Sequence, residues 1–140
     1  MRRVLVPGST EQWRGHDAVR LLEERNCEVV FREIGAAVSE DELIELASGV
    51  NAVFGTGLPF ARRVFEALPS LRTVARTGVG YDSIDVDAAT EHGVTVTITP
   101  GVNRESVATW AMALLLNVVR RIPIFDRDMR GGLWAREMVP

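Results

Sequence analysis

The residues best suited to chemistry in this sequence are three at a predicted turn, Gly78-Val79-Gly80. Two glycines around one apolar residue let the backbone turn sharply and direct its N–H groups outward, as a site for a small anion requires. An ordinary tight turn would use the same residues, so the glycines alone leave both interpretations open. A dinucleotide fingerprint is excluded, because no third glycine follows at the required spacing.

Two polar side chains flank this turn in the sequence. Arg76 ends the preceding strand, where its guanidinium could orient a carboxylate bidentately, or could form a structural ion pair with a nearby acid. Asn103 follows a break at residues 99–101 and could donate and accept at the mouth of a cleft. It is an equally good N-cap for the helix after it.

An alternation of strands and helices positions these residues. The predicted strands are 2–6, 27–31, 50–54, 73–75 and 94–98, and the helices between them begin near residues 17, 40, 62 and 86. Short connections between alternating elements indicate right-handed crossovers and a parallel sheet covered on both faces. We therefore expect an α/β fold with a flavodoxin-like five-stranded parallel sheet in the order 2-1-3-4-5.

Turn and cap residues refine this prediction. Residues 9–15 read as a loop, and Ser39 begins a capping box before the second helix. Asp82 and Asp85 can both cap the helix at 86–91 through their side-chain oxygens.

Ligands of such sheets bind beyond the carboxyl ends of the strands. The predicted turns at that edge are Pro7-Gly8, Gly55-Thr56-Gly57 and Gly78-Val79-Gly80. We expect them to form a shallow cleft lined by backbone, with Gly55 and Thr56 among the residues that contact a substrate.

The last segment differs in kind from the rest. Residues 105–121 predict one long helix that is apolar nearly all round, yet shorter than the roughly 20 residues of a membrane span. Either a second domain or a second copy of the chain must cover it, so we expect a homodimer or larger assembly through this helix. Residues 122–140 are polar and contain no predicted closing element. We therefore expect two domains, residues 1–100 and 101–140, of which the second is truncated.

Composition excludes several functions. A net charge of −3 without a basic block argues against nucleic acid as a partner. All 16 cationic side chains are arginine, which excludes a lysine nucleophile, base or phosphate ligand. The first residues enter a strand directly, which favours a cytoplasmic protein and no membrane partner.

Few other side chains suggest a site. The single Cys27 allows no intrachain disulfide and is expected to be a small buried hydrophobe. We expect His16 and His92 to be solvated at helix ends. The three aspartates at positions 82, 85 and 87 lack the spacing of a calcium loop, so no metal site is predicted.

The sequence resembles a known family in two motifs and the helix after them. It resembles the D-isomer-specific 2-hydroxyacid dehydrogenases, especially the phosphoglycerate-dehydrogenase-like branch, in RTGVGYDSIDVDAATEHGVTV, in TPGVNRESVA and in the long apolar helix. The resemblance implies that residues 1–100 are a flavodoxin-like substrate-binding domain. It implies that residues 101–140 are the crossover and first helix of an NAD-binding Rossmann domain, truncated here, which dimerises around that helix.

The resemblance also assigns roles to residues. The backbone N–H groups of Val79 and Gly80 would hold the carboxylate of a small 2-hydroxy or 2-oxo acid, supported by Arg76. Asn103 would sit beside that substrate at the hinge. Val79 and Val107 would lie near the nicotinamide of NAD or NADP.

Several positions depart from the family pattern. Gly55 stands where phosphoglycerate-type members often carry an arginine, which argues against a phosphorylated substrate. Ile98 replaces a common asparagine, and Thr109-Trp110 replaces a frequent glutamate–histidine pair at the helix interface.

The parts that perform catalysis in the family lie beyond the equivalent of Pro140. They are the glycine-rich dinucleotide loop, an arginine, a glutamate and an acid–base histidine, so no catalytic residue is assigned here. We expect this chain alone to be inactive and to bind no cofactor, as a fragment of an NAD(P)-dependent oxidoreductase. A receiver-like module is disfavoured because it needs a lysine; a free-standing binding or dimerisation module without catalysis remains an alternative.

Overall fold

The computed structural model describes residues 1–35, 37–55 and 57–134. The chain divides into two compact units, Met1–Pro100 and Gly101–Pro140. Each unit is described by itself below.

The first unit is built on five parallel strands in the order β2-β1-β3-β4-β5. The strands are β1 (Arg2–Pro7), β2 (Cys27–Arg32), β3 (Ala52–Gly55), β4 (Thr73–Arg76) and β5 (Thr95–Thr97). The predicted α/β fold and strand order are therefore confirmed. The predicted strand ends shift by up to two residues.

Five helices connect the strands of this unit. They are α1 (Thr10–Trp13), α2 (Asp17–Glu24), α3 (Glu40–Leu46), α4 (Arg62–Ala67) and α5 (Val86–Glu91). The Ser39 hydroxyl accepts from the Glu42 N–H and caps α3, as the sequence predicts. At α5 the carboxylate of Asp85 accepts from the Ala88 N–H at 2.8 Å, whereas Asp82 is not the cap. The prediction that both aspartates cap this helix was wrong for Asp82.

Helix α1 lies inside the predicted loop at residues 9–15, so that loop prediction was wrong as well. The Ser9 hydroxyl accepts from the Gln12 N–H, and the Trp13 indole N–H donates to the Pro7 carbonyl at 3.0 Å. A side-chain cap and one tertiary hydrogen bond thus hold a single helical turn, which is too short to show a periodic apolar pattern in the sequence.

The core lies on one face of the sheet. Leu5, Val53 and Val74 occupy matching positions on three adjacent strands and are all at most 2% exposed. The largest side chains packed with them come from the helices and loops on that face: Leu43, Phe60, Phe65 and Leu71. Alternate residues of each strand point away from this core.

The opposite face of the sheet is only partly covered by the residues of this unit that the structure describes. Helix α2 approaches it, and an open groove of about 750 Å³ remains beside the half-buried side chains of Ala52, Phe54 and Ala75. Cys27 lines this groove half-buried rather than fully buried. The expectation of full cover on both faces was therefore wrong for this part of the chain.

The described residues of the second unit, up to position 134, form two helices, α6 (Arg104–Val119) and α7 (Ile122–Arg130), whose axes differ by 62°. Arg121 between them has φ +51°, in the left-handed region, and Pro123 follows in the first turn of α7. The sequence analysis named no helix in residues 122–140, and the structure has α7 there. Within the described residues neither helix alone is long and apolar enough to span a bilayer, and by length and composition the bent pair together passes that test.

Candidate functional site at the carboxyl edge of the sheet

Four strand ends define one row of residues at the carboxyl edge of the sheet. Pairing places Arg32 of β2 beside Pro7 of β1, and Gly55 of β3 beside Arg76 of β4. The register of β1 with β3 pairs Leu5 with Val53, and its continuation brings Pro7 next to Gly55. The row across the edge is therefore Arg32, Pro7, Gly55 and Arg76.

The loop after Arg76 is anchored to this edge at both ends. The Thr77 N–H donates to the Gly55 carbonyl at 3.4 Å, and the Gly78 carbonyl accepts from the Thr99 N–H at 3.1 Å. At the far end, the Ser83 carbonyl accepts from the Phe60 N–H at 2.8 Å. Between these anchors, Val79 and Gly80 are exposed.

The N–H groups of Val79 and Gly80 have no hydrogen-bond acceptor among the residues that the structure describes, and both residues are exposed. Two successive N–H groups without protein acceptors can form a small site for an anion. The geometry is compatible with the anion-site interpretation of these glycines.

Glycine at position 80 is not explained by backbone conformation. Its φ lies outside the left-handed region, and a Cβ there would meet only the Asp82 carboxylate, at 3.4 Å. An exposed loop position with allowed dihedral angles and room for a side chain does not need glycine for folding.

Arg76 links the strand end to the far end of the same loop. Its guanidinium donates to the Ser83 hydroxyl at 3.0 Å, and the residue is half-buried. Ser83 is therefore held at two atoms, its hydroxyl by Arg76 and its carbonyl by the Phe60 N–H. Ser83 was not singled out from the sequence, since a serine in a polar loop carries no distinctive pattern.

Position 55 has room only for glycine, because a residue on another strand occupies the space of a side chain. A Cβ at position 55 would lie 2.8 Å from Cγ and 2.9 Å from Cδ of Pro7, closer than carbon atoms approach each other. A cavity of about 10 Å³, which is the size of one water molecule, lies between Gly55 and Arg76. Thr56, the other predicted contact in this turn, lies outside the described residues.

The remaining predicted site residues belong to the second unit. Asn103 occupies the N-cap position of α6, but its side chain makes no capping hydrogen bond. Its carbonyl accepts from the Val107 N–H at 2.9 Å, and both residues are exposed. The structure therefore brings Gly55, Arg76 and the 78–80 turn together in the first unit.

The shifted pKa values in the described residues belong to a surface ion pair between α4 and α5. The Arg62 guanidinium forms two hydrogen bonds with the Glu91 carboxylate, one of them at 3.2 Å. These bonds and the attraction between the charges lower the pKa of Glu91 and raise that of Arg62. The pair joins two helices and is not part of the site. His16 and His92 are exposed at helix ends, as predicted.

Together these observations define an α/β domain with an exposed glycine turn at the carboxyl edge of its five-stranded parallel sheet. Residues 10–116 match the profile of the family described as D-isomer specific 2-hydroxyacid dehydrogenase, catalytic domain. The chain belongs to this family, as the resemblance of its motifs predicted.

Individual relatives agree with this membership. A glyoxylate reductase of Korarchaeum cryptofilum is 51% identical over 76 residues, which cover 54% of this chain and 23% of the reductase. A D-3-phosphoglycerate dehydrogenase of Methanocaldococcus jannaschii is 36% identical over 122 residues, covering 86% of this chain and 22% of the relative. The chain thus spans about a quarter of the length of these relatives.

A solved structure shows the same fold. The NAD-dependent formate dehydrogenase of Staphylococcus aureus in complex with NAD superposes with a TM-score of 0.73 at 26% sequence identity. The match covers 96% of this chain and 43% of the dehydrogenase.

Proposed function

We propose that this chain forms the substrate-binding part of an NAD- or NADP-dependent oxidoreductase that acts on the CH–OH group of a small D-2-hydroxy acid. The observation that carries the proposal is the anchored loop at residues 77–83, whose exposed Val79 and Gly80 N–H groups suit a carboxylate. Family membership of the chain supports the same reaction class.

The loop would act by orientation. A carboxylate held by two backbone N–H groups has its attached carbon fixed relative to the sheet edge, and charge-assisted hydrogen bonds of this kind are short and directional. Arg76 contributes as a positioning residue, because its bond to Ser83 keeps the two N–H groups in place. Such a site would bring the carbon next to the carboxylate close to its reaction partner and align it for the reaction.

The cofactor would be held only in part by these residues. NAD or NADP supplies or accepts the hydride when bound. The side chain of Val79 is apolar and about half exposed, which suits packing against a nicotinamide ring. The 140 residues contain no glycine-rich dinucleotide fingerprint, so we propose that this chain by itself does not turn over substrate.

Ligand titration tests the carboxylate site. We expect D-glycerate to shift the backbone amide NMR signals of Val79 and Gly80 in the ¹⁵N-labelled chain, and uncharged glycerol to leave them in place. Gly80→Val should weaken this binding about tenfold or more, because its side chain would occupy the ligand's approach and charge-assisted hydrogen bonds contribute about 1.5–3 kcal/mol.

Gly35→Val is the matched control for that variant. Gly35 is exposed and lies outside the left-handed region, and a Cβ at this position would meet no atom within 4 Å, so both variants should fold alike. An unchanged affinity in Gly80→Val would remove the 78–80 turn from the proposal.

We also propose that the chain associates with a second copy through α6. The helix contains no buried residue, and Trp110, Leu115 and Val118 are each more than half exposed. The same exposure favours the second candidate function, a binding or dimerisation module without catalysis. The two differ in the D-glycerate titration, since a module of that kind has no reason to bind a 2-hydroxy acid at the 78–80 turn.

A further inference from the structure

The two residues that follow the last strand of the sheet also contact the loop at residues 77–83. The Thr99 N–H donates to the Gly78 carbonyl at 3.1 Å. Thr99 follows the edge strand β5 and Gly78 follows β4, its neighbour in the sheet. This hydrogen bond therefore extends the contact between the two strands beyond their ends and into the loop.

The bond to Thr99 sets the direction of the Val79 N–H. The Gly78 carbonyl and the Val79 N–H belong to one peptide unit, which is planar and trans, so the two groups point in opposite directions. Because the carbonyl points to Thr99, beyond the edge strand β5, the N–H points toward the side of the sheet on which β3 and β1 lie. The chain connections diverge between β1 and β3, and sheets of this order bind their ligands there.

The peptide between Gly78 and Val79 needs such a restraint. Gly78 has no Cβ, so rotation of this peptide meets little steric resistance from the residue before it. A rotated peptide would turn the Val79 N–H away from its ligand, and ordering it on binding would reduce the affinity. The contact with Thr99 removes this freedom before a ligand arrives.

Pro100 in turn limits the conformations of Thr99. A residue that precedes proline is confined largely to extended backbone, because the proline ring would otherwise collide with it. Pro100 is exposed, so its effect is on the backbone of Thr99 rather than on the core. The Thr99 hydroxyl oxygen is buried and has no hydrogen-bond partner among the residues that the structure describes, which leaves the N–H as the group that acts on the loop.

We propose that Thr99 and Pro100 are positioning residues of the substrate site. The Thr99 N–H fixes the peptide at 78–79 so that the Val79 N–H faces the ligand, and Pro100 keeps Thr99 in the conformation that makes this contact. The inference rests on the proposed function, since the group that is positioned is one of the two N–H groups proposed to bind the carboxylate. Residues 99–100 thus do more than end the sheet.

Scalar coupling across hydrogen bonds tests the first step in the native chain. We expect an NMR coupling between ¹⁵N of Thr99 and the carbonyl ¹³C of Gly78 in the doubly labelled protein. The Thr95 N–H donates to the Arg72 carbonyl at 2.9 Å and supplies the reference coupling in the same spectrum. A spectrum that contains the reference coupling and lacks the Thr99 coupling would overturn the inference.

Two substitutions separate the N–H of Thr99 from its side chain. Thr99→Pro removes the donor and should weaken D-glycerate binding about tenfold or more, because a hydrogen bond to a charged group is lost. It should also shift the Val79 amide signal without ligand. Thr99→Val, the conservative variant, keeps the N–H and should retain at least about half of the native affinity, since the lost hydroxyl has no partner in the described residues. Equal losses in both variants would assign the effect to the side chain and overturn the inference.

Pro100→Ala tests the second step. Without proline, Thr99 gains backbone conformations, and D-glycerate binding should weaken about two- to fivefold. Pro69→Ala is the matched control, because Pro69 is another exposed proline of the first unit and lies outside the loop, so the affinity should not change. An equal loss in the two variants would remove Pro100 from the inference.

The outcomes separate this inference from the proposed function. If D-glycerate shifts the Val79 and Gly80 amide signals in the native chain and Thr99→Pro binds it equally well, the carboxylate site stands and the positioning role of Thr99 falls. If D-glycerate leaves both signals in place in the native chain, the proposed function fails and the inference fails with it. The scalar coupling and Pro100→Ala decide the matter even if Thr99→Pro does not fold.

Discussion

The Asp82 carboxylate lies beside the proposed anion site, and its negative charge opposes anion binding. Its oxygen is 3.4 Å from the position of a Cβ on Gly80, and because the residue is exposed, water weakens the repulsion without removing it. We expect Asp82→Asn to strengthen D-glycerate binding severalfold at low salt, with a smaller gain at 1 M salt, where the Debye length falls to about 3 Å. NMR titration at two ionic strengths measures both effects.

Asp87→Asn is the control for this change. It removes the same charge from another exposed aspartate, but Asp87 lies in α5 and not beside the 78–80 turn. If both variants gain equally, net charge explains the result and the local repulsion does not.

The Arg62–Glu91 ion pair leads to a separate prediction, which concerns the pKa of Glu91. The pKa of Glu91 is lower in the folded chain because of its hydrogen bonds and attraction to Arg62. Because the pKa of Glu91 is lower in the folded chain, the pair stabilises the fold at pH values above about 4.3, the ordinary pKa of glutamate. This stabilisation is lost as the pH falls through the lower pKa of the folded chain. We therefore expect Arg62→Gln to raise the Glu91 pKa toward about 4.3 in a ¹³C NMR titration of the carboxyl group.

Arg63→Gln is the matched control, since Arg63 pairs with Asp41 and should leave the Glu91 pKa unchanged. The effect on stability should be small, because both members of the pair are exposed. A Glu91 pKa that is the same in the native chain and in Arg62→Gln would contradict the prediction.

Local patterns predicted single residues well where the cause lies nearby in the sequence. The cap at Ser39 could be read from three following residues, and Asp85 caps α5 in the same way. Asp82 could not be separated from Asp85, because both stand close to the helix start. The reason for glycine at position 55 lies in Pro7 on another strand, 48 positions earlier, and no local pattern contains it.

At the scale of elements, the end of α2 illustrates how one backbone conformation sets a boundary. Asn26 has φ +57°, in the left-handed region, directly before β2. We expect Asn26→Gly to leave the free energy of unfolding unchanged or slightly raised, because glycine adopts left-handed geometry without strain. Asn26→Ala should lower it by about 1 kcal/mol, because left-handed geometry costs about 1–2 kcal/mol and alanine lacks the short polar side chain with which asparagine offsets this cost by local hydrogen bonding. Arg25→Ala, at φ −93°, is the control and should cost less. Denaturant unfolding measures all three, and equal losses for both alanine variants would refute the role of the conformation.

Elements with strong periodicity or clear caps were predicted, and elements made by tertiary contacts were not. The strands and helices α2 to α6 follow from apolar runs and caps, whereas α1 depends on the Trp13 contact with Pro7. Helix α7 was not predicted, because residues 122–140 were judged only by their polar character and their two glycines. Pro123 was a usable signal, since proline is favoured in the first turn of a helix.

At the scale of the whole molecule, the order of strands followed from the alternation of elements, but the cover of the sheet did not. Alternating strands and helices specify a parallel sheet without specifying how many helices lie on each face. The strand Ala52-Val53-Phe54 is apolar on both faces, as in sheets buried on two sides. In the described residues of the first unit, α2 and Trp13 of α1 cover the second face only in part, so the apolar pattern predicted more cover than this unit provides.

The exposed apolar side chains of α6 lead to the last prediction, which concerns association. Removing apolar surface from water contributes about 25 cal/mol per Å², so a helix that is apolar on all sides and exposed should drive self-association. We expect the chain to be a dimer or larger species by light scattering at micromolar concentration, and Leu115→Arg to shift it toward monomer. Val86→Arg makes the same chemical change at an exposed position of α5 and should leave the mass unchanged. A native chain that is monomeric under these conditions would show that α6 does not mediate an assembly of copies, and the proposed dimer would be withdrawn.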